Sequence, residues 1–190
     1  MQTLKDRILK DGQGMGTEIL KVDSFLNQQI DVALMDEIGK ELAKRFKDKG
    51  ITKILTVESS GIAVAYATSL AMGCLPVVFA KKASPNTMFE GVYRADVKSF
   101  TKETVSTIRV SRKFLSPEDV VLIVDDFLAF GEAALGLVKL VRAAEATLAG
   151  VGIVIEKQFQ GGSQKLKEAG CPVESLVVIK SIQDNNIEFA

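Results

Sequence analysis

The chain contains no histidine among its 190 residues. Histidine-based acid–base catalysis and histidine metal ligation are therefore excluded. Cysteine is scarce as well: Cys74 and Cys171 stand far apart without metal-ligand spacing, and read as buried or incidental thiols of a reducing compartment. Charge of one sign is not in excess, because 24 Lys and Arg balance 24 Asp and Glu. A global basic field for nucleic acid is thus lacking, and any phosphate must be held by local features. No apolar run approaches the ~18 residues of a membrane span. The stretch Met1 to Asp11 carries Lys5, Asp6, Arg7, Lys10 and Asp11, which is unlike a secretory leader. These absences lead us to expect a cytoplasmic protein with neither a membrane nor a nucleic-acid partner.

What is present suits one domain spanning 1–190. Hydrophobic residues at 47% and charged residues at 25% give the balance of an ordinary globular protein with a substantial core. Met35, Ile38, Leu42 and Phe46 fall on one face of a helix expected over 31–49, with Gly50 as its cap. A strand over Ile51–Val57, a helix over Gly61–Met72 and a strand over Leu75–Ala80 compose a βαβ unit. Val120–Val124 predicts a further parallel strand. Its helix carries Leu137, Val141, Ala144 and Leu148 on one stripe, with Gly150 after it. Strands over Val151–Glu156 and Leu176–Ile182 flank a short helix over Gln164–Ala169. This alternation implies a doubly wound α/β sheet. Two parts break the rhythm. Residues 83–104 read as a long functional or mobile loop, followed by a hairpin or flap strand over 105–110. The first 30 residues are irregular, and Gly12, Gly14 and Gly16 follow no strand, which rules out a dinucleotide fingerprint.

The most informative stretch is Val120-Val121-Leu122-Ile123-Val124-Asp125-Asp126-Phe127-Leu128-Ala129-Phe130-Gly131-Glu132-Ala133-Ala134. Five aliphatics read as a strand buried on both faces. The loop behind the acids opens onto a helix start, where unpaired N–H groups and the dipole favour anions. Carboxylates for hydroxyls beside amides for a phosphate suggest a sugar phosphate. The plainer alternative is a strand–helix corner whose acids cap the helix; acid pairs after strands also serve receiver domains and magnesium sites. Glu58-Ser59-Ser60-Gly61 occupies a second strand–helix corner, and is either another anion cradle or an ordinary capping pair. Lys81 and Lys82 close a strand and, taken alone, read as solvated.

The acid-pair stretch resembles the 5-phosphoribosyl 1-pyrophosphate (PRPP) motif of the type I phosphoribosyltransferase family. Four further segments are similar to the bacterial xanthine-specific branch of that family: Leu20-Lys21-Val22-Asp23-Ser24-Phe25-Leu26-Asn27, Glu58-Ser59-Ser60-Gly61-Ile62-Ala63, Val78-Phe79-Ala80-Lys81-Lys82 and Ile153-Val154-Ile155-Glu156-Lys157. The resemblance implies a central, mainly parallel sheet flanked by helices, and a smaller hood drawn from about 1–30 and the C-terminal part. It implies purine salvage: transfer of ribose 5-phosphate from PRPP to xanthine, with Mg2+ carried mainly on the substrate, in a homodimer. Guanine, hypoxanthine or a PRPP-sensing regulator of the same fold are the alternatives.

The resemblance also implies residue roles. Asp125 and Asp126 hold the ribose hydroxyls. Neighbours on an extended strand face opposite ways, so both reaching one ligand requires that the strand has ended, as the following loop suggests. Ala129, Phe130, Gly131, Glu132 and Ala133 wrap the 5′-phosphate. Ser59, Ser60, Lys81 and Lys82 contact pyrophosphate, with Lys98, Ser99 and Lys102 of the 83–104 loop as hood contributors. Leu20, Asn27 and Lys157 meet the base, and Phe159 stacks on it. A lysine only donates, so Lys157 favours a 6-oxo purine over a 6-amino one. Three positions depart from the family pattern. Phe130 stands where a small polar residue is usual, and Lys98 where a tyrosine is common. Glu132 replaces an uncharged polar residue and brings an acid to a phosphate loop. Its early-helix position predicts that it points outward.

Overall fold

The computed structural model describes residues 1–82, 91–99 and 104–190. The chain opens with α1 (Gln2–Asp11), the short pair β1 (Gln13–Met15) and β2 (Ile19–Lys21), and a π-helical turn over Asp23–Asn27. Then come α2 (Val32–Arg45), β3 (Lys53–Val57), α3 (Gly61–Ala71) and β4 (Val77–Ala80). An antiparallel hairpin follows, β5 (Val92–Ser99) with β6 (Thr104–Ser111). The chain closes with β7 (Val120–Leu128), α4 (Glu132–Ala143), β8 (Thr147–Lys157), α5 (Gly162–Glu168), β9 (Val173–Gln183) and β10 (Asn186–Phe189).

One six-stranded sheet runs in the order β10-β9-β8-β7-β3-β4. It is parallel throughout except for β10, which returns antiparallel to β9. β7 lies inside the sheet and alternates between two cores. Leu122 and Val124 pack with α1, α2 and α3 on one face. Val121 and Ile123 pack with α4, Leu166 of α5 and the β5–β6 hairpin on the other. A strand covered on both faces has no polar side to present, which is why the aliphatic run is unbroken. Among the described residues no helix is long and apolar enough to cross a membrane.

Four expectations need correction. β7 does not end at Val124 but continues through both acids to Leu128. The ladder with β8 carries it onward, pairing Asp125 with Ile153 and Phe127 with Ile155. The stripe assigned to α4 runs too far. Glu145 takes φ +57 and ends the helix, so Leu148 belongs to β8 and pairs with Val121. Part of the long loop over 83–104 is strand, because β5 pairs with β6 along its whole length. Finally, the irregular N-terminus begins with a helix. Only Leu4 and Ile8 of α1 are buried, too few for a visible apolar stripe. The amino terminus is tied down by donation from the Met1 ammonium to the Leu176 carbonyl (2.9 Å). The β1–β2 turn is fixed by reciprocal bonds between Gly16 and Asp184.

Candidate active site

The carboxyl ends of β3, β7 and β8 converge, the edge at which open α/β sheets bind ligands. Past Leu128 the chain leaves the sheet, and Gly131 turns it with φ +84 into α4. A side chain is rarely stable at that φ. No side chain caps α4, so its first amides remain available to an anion. The loop is braced from behind by the start of α5. Gly162 N–H donates to the Ala129 carbonyl (3.0 Å), and a Cβ on Gly162 would lie 2.8 Å from Gly131 N and nearer still to the Ala129 oxygen. Glu132 does not stand alone: its Oε1 lies 3.1 Å from Lys165 Nζ on α5.

Asp125 and Asp126 are both buried, and Asp126 N–H donates to Asp125 Oδ1 (3.0 Å). Burial, reinforced by the neighbouring Asp126 charge, pushes the Asp125 carboxyl well above the ordinary carboxylate range; Lys82 pulls it part of the way back. Both acids remain on the strand, yet their carboxyl groups interact, so the pair stays within reach of one ligand without the strand having ended. Asp125 is directed at the start of α3. A Cβ on Gly61 would stand 2.7 Å from Asp125 Oδ1 and clash with Thr56 Oγ1, so only glycine admits the acid there. Thr56 Oγ1 is buried with no partner among the described residues.

The corner Glu58–Gly61 leads from β3 into α3, and the Glu58–Ser59 peptide is cis. Ser60 adopts helical angles and its side chain makes no cap bond, so the simple N-cap reading does not describe this corner. Glu58 joins it to the end of β4: its N–H donates to the Ala80 carbonyl (3.0 Å), and its Oε1 accepts from Lys82 N–H (2.5 Å). The two lysines part company here. Lys81 exchanges backbone bonds with Arg109 of β6 and lines a cavity of about 490 Å³ beside Phe79 and Phe114. Lys82 faces a different cleft.

That cleft, about 600 Å³, is bounded by Glu18 and Ile19 of the β1–β2 turn, Lys82, hairpin residues Val97, Lys98 and Ser106, the stretch 127–134, Lys157 and Gln160. The size suits a small-molecule ligand. Lys157, at the end of β8, donates from Nζ to the Glu18 carbonyl (2.7 Å) and lies 5.5 Å from the Phe127 ring centroid. Burial lowers its pKa, with Glu18 opposing. The cleft thus brings together Lys82, Ala129, Phe130, Gly131, Glu132, Ala133 and Lys157, and adds Lys98. The remaining candidates lie off its wall. Asp125 and Asp126 precede the wall on β7, and Ser59 and Ser60 sit at the neighbouring corner. Leu20 is packed in the core next to the lining residue Ile19, and Asn27 is an exposed residue at the end of the π-helical turn. Phe159 is 39% exposed, so its ring is not enclosed. Lys102 lies outside the described residues.

Sequence reasoning missed Phe127, Gln160 and Glu18. Phe127 follows the acids directly and was open to notice. Gln160 Oε1 is buried without a partner among the described residues, which no spacing announces. Glu18 serves through its backbone carbonyl, a role that leaves no trace in residue type.

A parallel sheet whose central strand delivers two acids and then a backbone-lined loop, next to a second corner and a closing hairpin, defines the phosphoribosyltransferase class. The solved adenine phosphoribosyltransferase of Rhodothermus marinus shares this fold, with a TM-score of 0.74 over 94% of this chain and 99% of that one at 20% identity. No protein-family model matches the chain. The xanthine phosphoribosyltransferase of Streptococcus pneumoniae is 52% identical over 189 residues, covering 100% of this chain and 97% of its own length. That of Staphylococcus aureus is 51% identical over 187 residues, covering 98% and 97%. The chain belongs to the xanthine phosphoribosyltransferase family.

Proposed function

We propose that this enzyme of purine salvage transfers the 5-phosphoribosyl group of PRPP to xanthine, giving xanthosine 5′-monophosphate and pyrophosphate. The observation that carries the reading is that the backbone-lined loop 129–133 and the half-buried Lys157 face one cleft. A phosphate cradle and an oxo-purine donor are thereby within reach of one substrate pair.

The bond from the anomeric carbon to pyrophosphate breaks as a purine nitrogen attacks, and the base releases its ring N–H proton. Positive charge grows on the sugar and negative charge on the leaving group, as in other glycosyl transfers. No protein nucleophile is needed, which a chain without histidine accommodates. In this reading the loop amides hold the 5′-phosphate, and Asp125 and Asp126 hold the ribose hydroxyls and favour the cationic sugar. Ser59, Ser60, Lys81 and Lys82 take the pyrophosphate, with Lys82 the lysine best supported by its place on the cleft wall. Lys157 donates to an exocyclic oxygen of the base, and Leu20, Asn27 and Phe159 complete the base pocket. The hood is drawn from the first 30 residues and the C-terminal part, as supported by the Met1–Leu176 and Gly16–Asp184 bonds.

Magnesium suits the all-oxygen donors at this edge. The ion would ride mainly on pyrophosphate oxygens and water, with Asp125 and Asp126 as the available carboxylates. When bound it neutralises charge on the leaving group. A cytoplasmic location is supported by the free thiols of Cys74 and Cys171, and a homodimer by the exposed Phe79 and Phe114 beside the edge strand β4.

The test is product identification. Incubation with PRPP, Mg2+ and xanthine yields xanthosine 5′-monophosphate and equimolar pyrophosphate by chromatography. Absence of nucleotide with every purine offered overturns the reading.

A further inference from the structure

Glu132 is the one acid inside the phosphate loop, and the structure gives it a specific neighbour. We propose that Lys165 is a positioning residue for PRPP, holding the Glu132 carboxylate aside so that the loop amides meet the 5′-phosphate unopposed. The inference rests on the reading of 129–133 as the phosphate loop.

Glu132 is the first residue of α4. A carboxylate there is attracted by the same helix-end amides that an incoming phosphate needs. Left alone it would compete for those amides and repel the dianion through a partly dehydrated space. Instead Glu132 Oε1 lies 3.1 Å from Lys165 Nζ, with the two side chains 26% and 40% exposed. The ammonium arrives from a turn whose position is fixed three ways. Gly162 N–H donates to the Ala129 carbonyl of the loop itself (3.0 Å). Ser163 Oγ donates to the buried Glu156 carboxylate, which also accepts from Ser175 Oγ (2.6 Å). Leu166 is fully buried beneath the turn. Ser163 ties α5 to Glu156, the residue before the base-side Lys157, while Lys165 ties it to the loop. The short helix therefore spans from the base side of the cleft to the phosphate side. The departure at Glu132 is answered by a cation delivered from a braced element.

The experiment measures initial rates with Lys165→Met, Lys165→Arg and the double variant Lys165→Met/Glu132→Gln. Lys165→Met is expected to raise KM for PRPP about tenfold while KM for xanthine stays within about twofold, because only the phosphate meets the uncovered carboxylate. Lys165→Arg keeps KM for PRPP near the wild-type value. Removing the acid in the double variant reverses most of the rise. A purely structural role would shift the melting temperature and both KM values together, and would give no reversal. The inference is overturned if Lys165→Met leaves KM for PRPP unchanged, or if its rise persists in the double variant. Gly131→Val separates the two levels. If that variant binds PRPP normally, the phosphate-loop reading itself fails. If it weakens PRPP while Lys165→Met does not, only the role of Lys165 fails.

Discussion

Replacing Gly162 by alanine tests how the loop 129–133, the proposed phosphate cradle, keeps its shape. Alanine in place of glycine ordinarily favours a helix by about 1 kcal/mol, and Gly162 is the first residue of α5. Propensity alone therefore predicts a more stable protein. The structure predicts the opposite sign. The new Cβ would collide with the Ala129 carbonyl oxygen and come within 2.8 Å of Gly131 N, both backbone atoms of the loop, with Leu128 Cδ1 at 3.1 Å. Backbone cannot swing aside as the end of a flexible side chain can. Overpacking of this kind costs about 1–3 kcal/mol, or a fall of about 2–12 °C in Tm for a chain of this size. The loop must yield with it, breaking the Gly162–Ala129 hydrogen bond and turning the amides away from the phosphate. Misplacement near 1 Å lowers kcat/KM for PRPP by about ten- to a hundredfold, although Gly162 itself contacts no substrate in this account. Thermal unfolding by circular dichroism and initial rates of pyrophosphate release against PRPP concentration supply both numbers. A Tm that rises, with kcat/KM within about twofold of wild type, would refute the close approach.

Three further outcomes follow from the same geometry. Asp125→Asn should raise Tm at pH 8, because the unfolded chain has by then released the proton of this acid while burial resists its release in the folded state, and the amide carries no such proton. The folded protein binds this proton more tightly than the unfolded chain does. Asp125 thus contributes stability below about pH 4 and loses that contribution as pH rises through its elevated folded value. The advantage of the variant should shrink on acidification, and a lower Tm at pH 8 would contradict this. The same variant should lose about ten- to a hundredfold in kcat, the worth of a charged hydrogen bond to the ribose. Lys157→Gln should reduce kcat/KM for xanthine by a similar factor of about ten to a hundred with KM for PRPP nearly unchanged; equal damage to both substrates would place Lys157 in structure rather than recognition.

The fold was largely legible because β7 is buried on both faces, and such a strand must open with a run like the five aliphatics Val120 to Val124. The end of β7 was not. Residue types at Asp125 and Asp126 announce a loop, and only the neighbouring β8 keeps them in the ladder. Leu148 illustrates the same limit in reverse. It fits the helical stripe of α4, yet the positive φ at Glu145 is a backbone decision that no periodicity records. α1 escaped notice because two buried residues, Leu4 and Ile8, make a stripe too thin to separate from chance. At the site, the motif loops were readable as motifs, while the distribution of Lys81 and Lys82 between two cavities depended on Arg109, remote in sequence. Glu132 was expected to point outward, whereas it stands among the residues lining the cleft, and its partner Lys165 lies 33 residues away on a helix. Carbonyl roles such as that of Glu18 have no signature in residue type.

The proposed function requires that one cleft join a PRPP phosphate cradle to an oxo-purine donor. Its most direct test is kcat/KM for xanthine, guanine, hypoxanthine and adenine at one saturating PRPP concentration with Mg2+, read as pyrophosphate release. Xanthine is expected first and adenine last, with at least about a hundredfold between them, since an ammonium that can only donate leaves the 6-amino group unmatched. A preference for adenine, or equal rates with all four bases, would contradict it.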